Sequence, residues 1–228
     1  PAVIEICNLR KVFHISGLRK VVIENLNLTI PDRVSLALLG RNGAGKSTLL
    51  QILAGTMDPT SGYIRSTGTI SWTVGFSGSF HPDLTGAQNT RFIARIYGVD
   101  TDALLAFVAD FAQLGPSFHM PFRSYSSGMK SRLSFGVSMG IPFDTYLVDE
   151  VTSVGDAAFK KRSSELFLER MRTAGAIVVS HSMQQIRELC DVGIVLDQGR
   201  AIFYDDLEEA ITHHLHNMAI DPKVGRRA

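Results

Sequence analysis

The feature that most restricts the fold is the run Gly40-Arg41-Asn42-Gly43-Ala44-Gly45-Lys46-Ser47, set between an apolar stretch and an amphipathic one. Residues 33–39 are close to continuously apolar, as in a strand buried on both faces of a parallel sheet. Residues 46–54 place Leu49, Leu50, Ile52 and Leu53 at helical spacing. A strand, a glycine loop and a helix in that order turn successive backbone N–H groups inward and aim the positive helix end at the same point, which suits phosphate oxygens. The spacing fits G-x-x-x-x-G-K-[ST]. It makes Gly40, Asn42, Gly43, Ala44, Gly45 and Thr48 candidate phosphate-binding residues. Lys46 is expected to reach the β- and γ-phosphates, and the Ser47 hydroxyl to be a ligand of Mg²⁺.

The rest of the chain reads as one domain built around this loop. Its 228 residues, 45% hydrophobic and 20% charged, suffice for a sizeable core and exclude a disordered or collagen-like chain. Residues 3–7 and 23–30 alternate in polarity like half-buried strands. From about residue 86 to 140 apolar residues recur at helical period, among them Phe92, Ile93, Ile96, Leu104, Val108, Phe111, Leu133 and Val137. The β-then-α pattern returns with strands at 145–148, 176–179 and 192–196 and helices at 157–172 and 184–190. An α/β core spanning 1–228, with a helical sub-domain inserted at about 86–140 and a C-terminal helix and tail at about 205–228, is the expectation.

A second chemical feature supports the first. Tyr146-Leu147-Val148-Asp149-Glu150 puts two carboxylates at the end of an apolar strand. Asp149 is placed to meet Mg²⁺ and Glu150 to orient or deprotonate an attacking water. Lys plus Arg number 23 against 22 Asp plus Glu, so a net charge of +1 gives no support to nucleic-acid binding. Cys7 and Cys190 lack metal or redox spacing and read as buried thiols. No apolar run reaches the roughly 18 to 20 residues that cross a bilayer, and residues 1–5 lack a signal-peptide pattern, so a peripheral cytoplasmic location is expected.

Taken together, these residues resemble the ATP-binding cassette (ABC) ATPases. Tyr125-Ser126-Ser127-Gly128-Met129 is similar to the Leu-Ser-Gly-Gly-Gln signature and lies between the glycine loop and the acidic strand, as in that family. The run from Asp149 to Asp156 resembles the acidic strand and the D-loop, and His181 matches the switch histidine. The resemblance implies a P-loop NTPase of the ABC type, with an N-terminal antiparallel β region, a parallel-sheet core and an inserted α-helical sub-domain. It also implies hydrolysis of ATP with Mg²⁺, by a homodimer in which Ser126, Ser127 and Gly128 of one copy cover the nucleotide on the other. Asp156 would link the copies and His181 would contact the γ-phosphate. Phe13 is the candidate adenine platform, with core packing the alternative for its ring.

Departures from the family wording are informative. The glutamine expected before the insert is absent between Trp72 and Pro82, leaving Ser77 or Ser79 as hydroxyl substitutes; Ser127, Met129 and Val151 also differ. With these changes the chain resembles the ATPase subunits of bacterial polysaccharide exporters, and its length fits the capsular type. The implied setting is the cytoplasmic face of the bacterial inner membrane, docked on separate integral membrane permease subunits through residues 76–84 and 90–97, with Phe76, Phe80 and Phe92 either facing the partner or packing in the core of the insert. The alternatives are another exported substrate, or a soluble ABC-type ATPase acting on DNA or ribosomes. His213, His214 and His216 read as a solvated helix face, and Lys223, Arg226 and Arg227 as a tail.

Overall fold

The computed structural model describes residues 3–150 and 157–219. The chain divides into two units. The first comprises Pro1–Ile70, Asp144–Val151 and Ala174–Ala228; the second comprises Ser71–Phe143 and Thr152–Thr173.

The first unit opens with strands β1 (Ile4–Ile15) and β2 (Leu18–Ile30), joined by Ser16 and Gly17. Both turn residues have positive φ, 50° and 78°, the backbone of the tight hairpin turn whose twist suits antiparallel strands. β1 also pairs with β4 (Ser61–Ser66), giving a three-stranded antiparallel sheet. A mixed sheet follows, built from β3 (Ser35–Gly40), β5 (Ile70–Thr73), β6 (Thr145–Asp149), β7 (Gly175–Val179), β8 (Val192–Asp197) and β9 (Arg200–Tyr204). Its order is β5-β6-β7-β3-β8-β9, with Ile70 the residue that β5 gives to this unit. β6, β7, β3 and β8 run parallel and β9 returns antiparallel. Every residue of β3 and β7 is buried, the pattern of central parallel strands covered on both faces.

Helix α1 (Lys46–Leu53) sends Leu49, Leu50, Ile52 and Leu53 into the same core as Leu9 and Ile23 of the hairpin and Leu38, Leu147, Ile177 and Ile194 of the mixed sheet. Each such side chain contributes about 1.5–3 kcal/mol of burial, so the glycine loop between β3 and α1 hangs from two well-anchored elements. This N-terminal antiparallel region and parallel core agree with the expectation from sequence.

The second unit is mainly helical: α2 (Gly86–Tyr97), α3 (Thr101–Ala112), α4 (Ser127–Gly140) and α5 (Ala157–Met171). Thr85 and Gln88 form a reciprocal capping box on α2, and Gly98 ends that helix in left-handed geometry. Phe111, Phe135 and Phe159 form an aromatic core across α3, α4 and α5. Phe80 is 8% exposed and packs edge-on against Phe122, so it is core, whereas Phe76 and Phe92 are each 53% exposed.

Two expectations need correction. Cys7 is half-buried, while Cys190 is buried, its thiol pushed up to about 12 by burial and the neighbouring Asp191. The C-terminal helix α7 (Leu207–Ala219) does not carry its three histidines on one solvated face. It lies on β8, where a Cβ at Gly193 would collide with the Ala210 methyl. It is tethered to α6 (Met183–Leu189) by a two-point ion pair from Arg187 to Glu208, at 2.6 and 3.0 Å. His213 bonds the Tyr204 hydroxyl and the Asn217 amide, whereas His214 is buried and its Nδ1 has no hydrogen-bond partner. Among the described residues no group of three or more His, Cys, Asp or Glu is arranged to hold a metal, and no helix is long and apolar enough to cross a membrane.

Burial lowers the pKa of His214, reinforced by the charges of Lys46, His181 and His213. A depressed histidine pKa leaves stability complete above the unfolded value, about 6.5, and removes it as pH falls toward the folded value, because the unfolded chain takes the proton first. H214L is therefore expected to match or exceed the parent in stability near pH 7.5, and to lose less between about pH 6.5 and 5. Urea unfolding midpoints at both ends of that window measure the difference; equal losses in the two proteins would contradict it.

Candidate nucleotide-binding site

β3 ends at Gly40, where a Cβ would lie 2.6 Å from the Leu196 carbonyl oxygen, so the chain leaves the sheet through a gap that only glycine fits. The loop then reaches Gly45, the residue that opens α1, at φ 107°. Its Cβ would stand 2.6 Å from Val22 Cγ1, so both angle and space call for glycine. No side chain caps α1 and its first turn has no acid. The first intrahelical bond runs from Leu49 N–H to the Gly45 carbonyl at 2.9 Å. Lys46, Ser47 and Thr48 thus have no carbonyl one turn back to donate to, and their N–H groups carry the positive end of the helix dipole.

Lys46 folds back over the loop, its Nζ donating to the carbonyls of Gly40 at 2.6 Å and Arg41 at 3.1 Å. Burial lowers its pKa, and the nearby Asp149 carboxylate partly restores it. Asp149 arrives by strand register: β6 pairs with β7 in parallel up to Asp149 opposite Val179. Its Oδ2 lies 3.4 Å from Ser47 Oγ, a hydroxyl of the helix that follows the loop. These two oxygen donors, one anionic, suit a hard divalent cation such as Mg²⁺.

Glu150 follows with φ 55°, left-handed geometry that a residue with a Cβ seldom adopts, and its N–H donates to the Val179 carbonyl at 2.8 Å. The turn directs its carboxylate toward His181, which stands just past the end of β7; His181 Nε2 is 3.2 Å from Glu150 Oε1. Ser182 then caps α6 by accepting from Gln185 N–H at 3.3 Å, which holds the segment that carries His181.

These groups open onto one cavity of about 520 Å³. Of the residues singled out from sequence, it brings together Phe13, Asn42, Gly43, Gly45, Lys46, Ser47, Thr48, Asp149, Glu150 and His181. Gly40 and Ala44 support the loop without lining the cavity: Ala44 N–H donates to Arg41 O and its side chain packs on the core. Lys20, Val22 and Val179 line it too and were not anticipated. Lys20 was within reach of the sequence, since a two-residue turn at Ser16-Gly17 sets Phe13 opposite Lys20.

Ser126, Ser127 and Gly128 belong to the second unit. Ser126 caps α4 by accepting from Met129 N–H at 3.2 Å, and Ser126 and Gly128 line a separate cavity of about 340 Å³ with Gln113 and Arg132. Asp156 lies outside the described residues.

Comparisons with known proteins agree with this architecture. The family model described as ABC transporter matches residues 23–153. The Polysialic acid transport ATP-binding protein KpsT of Escherichia coli is 45% identical over 214 residues, covering 92% of this chain and 96% of that protein. The Capsule polysaccharide export ATP-binding protein CtrD of Neisseria meningitidis is 40% identical over 195 residues, covering 86% and 90%. Among solved structures, an ATP binding subunit of an ABC transporter superposes with a TM-score of 0.77 at 19% identity, covering 93% of this chain and 99% of the other. A post-hydrolysis dimer of the ATP-binding cassette MJ0796 with ADP and Pi superposes with a TM-score of 0.73 at 19% identity, covering 88% and 98%. The chain therefore belongs to the ABC transporter family and has the fold of its ATP-binding cassette.

Proposed function

We propose that this chain binds and hydrolyses ATP with Mg²⁺ to drive export of a cell-surface polysaccharide. The observation that carries the reading is the convergence of an uncapped helix N-terminus, Lys46, two carboxylates and His181 on one cavity. The triphosphate lies along the loop from Gly40 to Thr48, accepting from backbone N–H groups. Lys46 exchanges its two loop carbonyls for phosphate oxygens, which restores its charge a partner. Ser47 and Asp149 would hold Mg²⁺, which when bound would supply neutralising charge at the phosphate oxygens. Phe13 carries the base.

Glu150 accepts a proton from water as the water oxygen bonds to the γ-phosphorus. The bond to the β-phosphate oxygen breaks, and ADP and phosphate leave. His181, hydrogen-bonded to Glu150 when Nε2 bears the proton, holds that carboxylate and faces the γ-phosphate. A second copy supplies Ser126, Ser127 and Gly128, whose helix N-terminus closes over the terminal phosphate, and Asp156 joins the two copies. Supporting a membrane partner, Phe92 and Ile96 on α2 and Phe76 in the segment before it each leave more than half of their surface exposed. They are assigned to separate permease subunits at the cytoplasmic face of the inner membrane. The cargo follows from similarity to proteins named for polysialic acid transport and capsule polysaccharide export.

Three outcomes test this reading. K46A should bind ATP about 10- to 100-fold more weakly by calorimetry, the scale of a lost charge-assisted contact. E150Q should bind ATP within about twofold of the parent yet hydrolyse it roughly 100- to 10,000-fold more slowly, and should elute as a dimer at saturating ATP and Mg²⁺. F92E should keep the ATP affinity of the parent and lose co-purification with multispanning subunits from detergent-solubilised native membranes; unchanged recovery would remove α2 from the docking surface.

A further inference from the structure

Phe13, the proposed base platform, stands on the part of β1 that pairs with β2 from Val12 to Ile15 and has no β4 partner. The pairing of β1 with β4 stops at Arg10 opposite Ser61. Beyond that point β1 pairs with β2 alone, and register shifts between Leu9 and Lys11 and between Lys11 and Val12 come just before the regular pairs from Val12 to Ile15. Bulges of this kind bend a strand and re-aim its side chains, and here they precede Phe13.

The segment between α1 and β4 compensates. Thr60 N–H donates to Arg10 O at 2.8 Å, and Val12 N–H donates to Thr60 Oγ1 at 2.9 Å. Lys11 completes the strap: its Nζ donates to Asp58 O at 2.7 Å and sits 5.1 Å from the centroid of the Phe13 ring. Phe13 lines the cavity and Lys11 does not. The ammonium group lies within range for a cation–π attraction to that ring.

We propose that Lys11 is a positioning residue for nucleotide binding, pinned by the Asp58 carbonyl so that it fixes the Phe13 ring and polarises it toward a purine on the cavity side. A cation against one face draws π density from the other, which favours stacking of an electron-rich base. The strap also starts from the chain that leaves α1, so the phosphate-binding helix and the base platform share one anchor. This assignment rests on the reading of the cavity as an ATP site with the base on Phe13.

The test compares K11M, K11R and F13A with the parent chain, using ATP–Mg and inorganic tripolyphosphate–Mg as probes. K11M is expected to raise the Kd and KM for ATP about three- to fivefold, leaving kcat at saturation and tripolyphosphate affinity unchanged. K11R should restore ATP affinity, because a guanidinium keeps both the donor and the cation. Parent-like ATP affinity in K11M, or an equal loss for tripolyphosphate, would overturn the role of Lys11. F13A separates the two claims: if it weakens ATP binding while K11M does not, only the lysine assignment falls, and if F13A leaves ATP affinity intact, the base platform falls as well.

Discussion

The open N-terminus of α1 is the constraint around which the rest of this molecule is arranged. Three N–H groups without helical acceptors would be costly if buried, and a side-chain cap would satisfy one of them. The chain has instead Gly45 in left-handed geometry, wedged against Val22, with no cap and no acid in the first turn. Lys46 meanwhile satisfies its own charge on two loop carbonyls. Both arrangements favour an anionic ligand over the empty site: among the described residues the helix end has no side-chain acceptor, and the lysine, partly desolvated, has no counter-charge at bonding distance.

Residues far apart in sequence reach this point through parallel strands. β3, β6 and β7 run the same way, so the loop after each leaves at the same edge of the sheet, where ligands of open α/β sheets bind. The register of Asp149 with Val179 then sets Glu150 beside His181 without either side chain needing to be long. The left-handed backbone at Glu150 is the local cost of that placement, held by its bond to the Val179 carbonyl.

Much of this was legible beforehand, for identifiable reasons. The glycine loop constrains its own backbone, so its motif carried the position of Lys46 and Ser47, and the buried run of residues 145–148 carried Asp149. The inserted helices were visible because their apolar residues recur at one period; α2, α3 and α4 occupy that stretch. What escaped depends on pairing between distant segments. β4 and β9 are short and largely exposed, and β5 is only four residues long, too little pattern to announce a strand. His214 is buried because α7 lies on Gly193, and Phe80 is core because Phe122 meets it.

The exchange at Lys46 is the central physical claim, and a high-resolution crystal structure of the E150Q chain with ATP and Mg²⁺ tests it most directly. The account predicts Lys46 Nζ released from the Gly40 and Arg41 carbonyls and bonded to β- and γ-phosphate oxygens above the start of α1. A nucleotide bound elsewhere, or a lysine still seated on those two carbonyls beneath an occupied site, would contradict it.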